Sequence, residues 1–143
     1  MRLLHAKTLE FKFINENSPL KYVTLSHTWG DDEVTYQDML WLEKWRAAPD
    51  HWKKEPMFEY LLSGGEGSTT KSEKELTGLS GYRKIIETAR ITQELGYEYF
   101  WIDTCCTIQT HHRRQSPTKR VAYAAENGGR MYIAPQYGAA SQK

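Results

Sequence analysis

The sequence predicts an α/β fold built on a partial parallel sheet flanked by helices and incomplete at its C-terminal side. Three observations predict it. Two runs, residues 21–26 (KYVTLS) and 97–102 (YEYFWI), are rich in β-branched and aromatic residues and read as strands. Between them an amphipathic helical pattern covers residues 80–95, so strand, helix and strand follow in the order of a βαβ unit. At most three strands are legible, whereas a self-sufficient sheet carries about five or six.

The elements follow in order along the chain. Leu9, Phe11 and Phe13 alternate with Glu10 and Lys12, the period of a short half-buried strand. Residues 15–19 (NENSP) form a turn sequence, and the strand at 21–26 ends at Trp29, Gly30, Asp31 and Asp32. Thr35 is placed to cap a helix whose third residue is Asp38, where a carboxylate suits the positive end of the helix. Met39, Leu40, Leu42 and Trp45 continue it to about Ala48, and Pro49 stops it. Trp52, Met57, Phe58, Tyr60, Leu61 and Leu62 fit one short surface helix. Residues 63–75 (SGGEGSTTKSEKE) read as a flexible loop, since nothing in them offsets the entropy of ordering. Ser80 is the expected cap of the longest helix. Tyr82, Ile85, Ile86, Ala89 and Gln93 form its apolar stripe, with Ile91 and Leu95 beside it. Arg83, Lys84, Glu87, Arg90 and Glu94 take the wet side, with Arg90 spaced to pair with Glu87 and Glu94. Gly96 stands where a glycine terminates a helix, the strand at 97–102 follows, and Asp103 closes it.

Composition narrows the functional classes. The 143 residues suit one domain. Five Trp and nine Tyr exclude wholesale disorder, because disordered chains are poor in aromatics. No run of 18 apolar residues marks a membrane span, and His5, Lys7 and Glu10 interrupt the opening residues too early for a signal peptide. Two cysteines, adjacent at 105 and 106, make no disulfide framework and point to a reducing, cytoplasmic setting. The net charge of +1 is unevenly shared: residues 1–106 hold 13 Lys and Arg against 17 Asp and Glu, and residues 107–143 hold six against one. Trp and Leu also disappear after 106, so 1–106 reads as the folding unit and 107–143 as a basic tail without a fold.

The chemistry concentrates at two strand ends. The first delivers Ser26, His27, Thr28, Trp29 and Gly30; the second delivers Asp103, Thr104, Cys105 and Cys106. In a parallel sheet both carboxyl ends lie on one edge, where ligands bind. His27 is either an acid/base or ligand-binding group or a strand-end residue bonded to backbone. Asp103 either orients a base or a ribose hydroxyl, or caps the next helix. These two are the catalytic candidates. Trp29 and Trp101 either stack on a planar ligand or pack in the core, and Gly30 permits a tight turn. Cys105 and Cys106 can serve as nucleophile with His27, as metal ligands with His111 and His112, or as small buried hydrophobes. Adjacent cysteines fit a zinc tetrahedron poorly, and no metal site is expected. The basic stretch Arg113, Arg114, Lys119 and Arg120 lacks aromatics for stacking, and nucleic acid is not an expected partner.

Residues 20–39 (LKYVTLSHTWGDDEVTYQDM) resemble the first signature block of the fungal heterokaryon incompatibility domain. Residues 81–106 (GYRKIIETARITQELGYEYFWIDTCC) resemble its second block, the opening MRLL resembles the usual start, and 49–78 fits as the variable loop between blocks. The resemblance implies a TIR-like, flavodoxin-like fold and an intracellular role in non-self recognition and programmed cell death. It implies protein partners or self-association, without membrane binding, and places Ser26, Trp29, Gly30, Trp101, Asp103 and Cys106 within the signature blocks. The TIR likeness also implies an alternative, cleavage of NAD as a substrate at the strand ends. After Cys106 the chain departs from the family pattern: an acidic helix is expected there, and Glu126 is the only carboxylate side chain beyond Asp103. The resemblance thus implies a truncated or inactive copy.

Overall fold

The computed structural model describes residues 1–15, 18–26, 31–63, 71–107, 121–124 and 130–133. Its elements are β1 (Arg2–His5), β2 (Phe11–Phe13), β3 (Val23–Ser26), α1 (Tyr36–Ala47), a 3-10 turn (Trp52–Lys54), α2 (Pro56–Ser63), α3 (Glu73–Gly78), α4 (Ser80–Glu94), β4 (Tyr99–Ile102), α5 (Asp103–Cys106), β5 (Val121–Ala124) and β6 (Arg130–Ile133). The strands form one sheet in the order β2-β1-β4-β3-β6-β5. The class is mixed α/β, as the sequence predicts.

Local chemistry explains the helices. Thr35 caps α1: its hydroxyl accepts the Asp38 amide, and the Asp38 carboxylate accepts the Thr35 amide at 2.9 Å. Such a reciprocal box contributes about 1 kcal/mol. Ser72 and Glu75 build the same box at the start of α3. The Ser72 amide and hydroxyl bonded to the Glu75 carboxylate hold it below the usual range. The loop expected over 63–75 therefore gives way at its end to a helix, anchored by the fully buried Leu76. Residues 64–70 lie outside the described residues. On α4, Tyr82, Ile85 and Ala89 are buried as the stripe requires, and Arg90 pairs with both Glu87 and Glu94. Gly96 ends the turn after α4 with φ +78°, a conformation that glycine adopts without steric cost. Three details differ from the expected helix. Ser80 is its first residue and Leu79 the cap; Ile86 is exposed; and Thr88 and Thr92 are buried in its place.

The sheet differs more. Among the described residues only β3 and β4 run parallel; β1–β2, β1–β4, β3–β6 and β5–β6 are antiparallel. A parallel pair needs a long crossover, and the helical segment between β3 and β4 supplies it. β1 and β2 instead form a hairpin. The Leu9 amide bonds to the His5 carbonyl at 2.8 Å, the His5 amide to the Glu10 carbonyl at 3.0 Å, and His5 Nδ1 accepts the Thr8 amide at 3.1 Å. Leu9, placed by its alternation in a strand, sits in the turn with φ 60°. The sheet also continues past Cys106. The sequence predicts a tail without fold, but the described residues 121–124 and 130–133 form β5 and β6, and β6 pairs with β3.

β4 lies between β1 and β3, so the most apolar strand is central. Phe100 is paired in register with Leu4 on one side and Val23 on the other. Leu3, Leu4, Val23, Leu25, Phe100 and Ile102 make the sheet's contribution to a core completed by Val34, Met39, Leu42, Leu76 and Ile85.

Candidate functional site

The parallel pair sets the site. Leu25 is in register with Ile102, so β3 and β4 finish side by side and the next residues, Ser26 and Asp103, lie at the same edge. The backbone of β6 reaches this edge too, since Arg130 is in register with Ser26. Arg130 is a position that the sequence reading passed over. The expected site residues His27, Trp29 and Gly30, between β3 and Asp31, lie outside the described residues, as do His111 and His112.

Beyond that segment the chain is clamped. The Gly81 amide donates to the Asp32 carbonyl at 2.9 Å, which brings the first turn of α4 against the backbone of residues 32–34. The position requires glycine, because a Cβ there would lie 2.6 Å from Asp32 O, 2.7 Å from Val34 N and 2.9 Å from Glu33 Cα. Lys84, placed by periodicity on the wet side, reaches the largely buried carboxylate of Glu33 at 2.6 Å. Val34 is buried and Thr35 starts α1. Residues 27–30 therefore connect the end of β3 to an anchor on α4. Sequence carried one signal for this clamp, a glycine in the first turn of an otherwise good helix.

At the other strand end, Asp103 is the first residue of α5 and half-buried, while Thr104, Cys105 and Cys106 are buried. The cap position is Ile102, whose side chain makes no capping bond, so Asp103 is not the N-cap weighed for it. The Ile102 amide donates to Cys106 Sγ at 3.4 Å, which folds the turn back on the strand. A hydrogen bond with the Cys106 side chain, together with burial, pushes the Cys105 thiol well above its usual range. A nucleophile or metal ligand must be a thiolate. Both cysteines are instead buried packing in the turn after β4. Trp101 is likewise buried in the sheet. Among the described residues, no three His, Cys, Asp or Glu side chains gather into a metal site.

A family model described as heterokaryon incompatibility protein matches residues 22–125, well over half of the chain. The chain belongs to the heterokaryon incompatibility family. No curated protein and no solved structure matches it. The matched span of this heterokaryon incompatibility domain holds the whole crossover from β3 to β4, the clamp at Gly81, and β5 as well. The first signature block, 20–39, holds β3 and runs into α1, and the second, 81–106, holds most of α4, β4 and α5, so the parallel strands of the two blocks finish at one sheet edge.

The burial of the thiols has a direct chemical check. Iodoacetamide at mildly alkaline pH is expected to leave both cysteines of the native chain unmodified and to label both after unfolding in urea, as counted by mass spectrometry. Prompt labelling of the native chain would show a reactive thiol and overturn the packing assignment.

Proposed function

We propose that this heterokaryon incompatibility domain is a signalling module of fungal self/non-self recognition that promotes programmed cell death by contact with a protein partner or a second copy of itself. The supporting observation is that β3 and β4, the parallel strands of the two signature blocks, finish at one edge of the sheet, within the span matched by the family. Ser26, His27, Trp29, Gly30 and Asp103 are the working surface on this reading, and Cys106, which accepts the Ile102 amide, closes the turn that carries Asp103. Asp103 carries the charge of this edge into a half-buried setting, where a carboxylate discriminates between partners more strongly than in open water.

The test is inducible expression of the chain in a fungal host with viability as the readout. Wild type is expected to reduce colony formation by at least ~10-fold, and Asp103→Asn, which keeps shape and removes charge, to restore most of it. Circular dichroism of the purified variant checks that the fold persists. Full viability with wild type, or equal killing by Asp103→Asn, would overturn the proposal. Release of nicotinamide from NAD by the purified chain would replace it with an enzymatic reading.

A further inference from the structure

The segment after α1 presents apolar side chains to solvent. Trp52 is 51% exposed, Met57 64%, Tyr60 74% and Leu61 66%. Met57, Tyr60 and Leu61 are spaced i, i+3, i+4 on α2, so they share one outward stripe, with Trp52 on the preceding turn. α2 is anchored through Phe58, which packs against Trp45 at 6.0 Å and against Trp52 at 5.6 Å between ring centroids, so Trp52 joins the patch only through its exposed half. Trp45 stacks on the buried Trp41 at 5.2 Å and donates its indole N–H to Glu73 at 2.9 Å, tying α1 to α3. The stripe is therefore held on a preformed base, which lowers the entropy cost of binding.

From this we infer that the outward face of α2 with Trp52 is the contact by which two copies of the chain associate. Area supports it. At roughly 150–250 Å² per large side chain, the exposed fractions of these four residues come to about 500 Å² per copy. Two copies face to face bury about 1,000 Å² from these residues alone, and the flanking polar side chains bring the total into the range of specific interfaces. A patch of this size is at the upper end for a monomer surface. Composition supports it as well, because Trp, Tyr and Met are enriched at interface centres. The rim decides between occupants. Lys53 and Lys54 are offset by Glu55 and Glu59, and Lys53 is already paired with Asp50 at 3.3 Å. A rim with at most one net negative charge repels an identical copy little, whereas an interfacial membrane helix carries a basic polar face.

This surface deepens the signalling reading and rests on it for its meaning in the cell; the association itself is physical and is tested apart from cell death. Sedimentation velocity on the full chain, across the micromolar range, is expected to show a concentration-dependent monomer–dimer equilibrium. Tyr60→Asp with Leu61→Asp is expected to weaken it at least ~30-fold, the effect of losing a central hot-spot side chain. Met57→Lys, a second surface change, is expected to act in the same direction, with unchanged circular dichroism in both variants. Sedimentation reads the association and colony formation reads the signalling, so failure of either reading is separable from failure of the other. A monomer at every concentration, or dimers in the variants equal to wild type, would overturn the inference. Co-sedimentation of a monomeric wild type with phosphatidylserine vesicles would also overturn it and assign the face to membrane.

Discussion

Gly81→Ala is expected to cost about 3 kcal/mol of stability and to lower the melting temperature by roughly 10 °C. The cause is local and specific. The added Cβ meets three backbone atoms of residues 32–34, all closer than 3.0 Å, and none belongs to a side chain that can rotate away. Relief requires α4 to withdraw from Asp32, which stretches the 2.9 Å bond between them and disturbs the Lys84–Glu33 pair. A matched control is available in Gly78→Ala, where nothing lies within 4 Å of the new methyl. That change is expected to be neutral or mildly stabilising, since alanine is the better helix former. Equal melting temperatures for the two variants would show that the close approach at Gly81 is absent in solution. The clamp also bears on function, because it fixes residues 32–34, which follow the candidate residues His27, Trp29 and Gly30 in the chain. Gly81→Ala should therefore reduce signalling at temperatures where the variant remains folded.

Phe100→Ala is the second large effect, at about 3–5 kcal/mol. Phe100 is fully buried on the central strand and is in register with Leu4 and Val23. Loss of its ring removes packing between both neighbouring strands at once, and a site framed by strands on two sides collapses little around the void. Total stability of small domains is about 5–15 kcal/mol, so the variant is expected to be largely unfolded or to melt without a sharp transition. Urea denaturation followed by tryptophan fluorescence reads this directly. A loss below ~1 kcal/mol would place Phe100 outside a packed core.

Parts of this structure are legible in the sequence for identifiable reasons. The Thr35–Asp38 box, the stripe of α4 and the glycine after it are local signals, and local signals survive translation into three dimensions. The adjacency of β3 and β4 followed from a single long crossover between two apolar runs. β1 was hidden because Leu3 and Leu4 are both fully buried: neighbouring residues on opposite faces are both covered, so no alternation marks the strand. The turn at Leu9 was hidden because leucine seldom adopts positive φ. α3 was masked by the small polar residues before it, although Ser72 and Glu75 carry the capping-box spacing. β5 and β6 flank Asn127 and Gly128 in the sequence, a short hairpin signal that the reading of 107–143 as a basic tail passed over. In the candidate site, Ser26 and Asp103 were legible from strand ends. Arg130 and the clamp at Gly81 were not, because both depend on contacts between residues distant in sequence.

The register of β4 has a consequence for how the chain is made. Leu3, Leu4, Val23 and Leu25 are synthesised early, yet the strand that covers them, Tyr99–Ile102, comes late. Until that strand has cleared the ribosome, the nascent chain carries uncovered apolar segments that attract chaperones or one another. The pace of translation through residues 71–102 therefore governs how long the nascent chain stays open to misassembly.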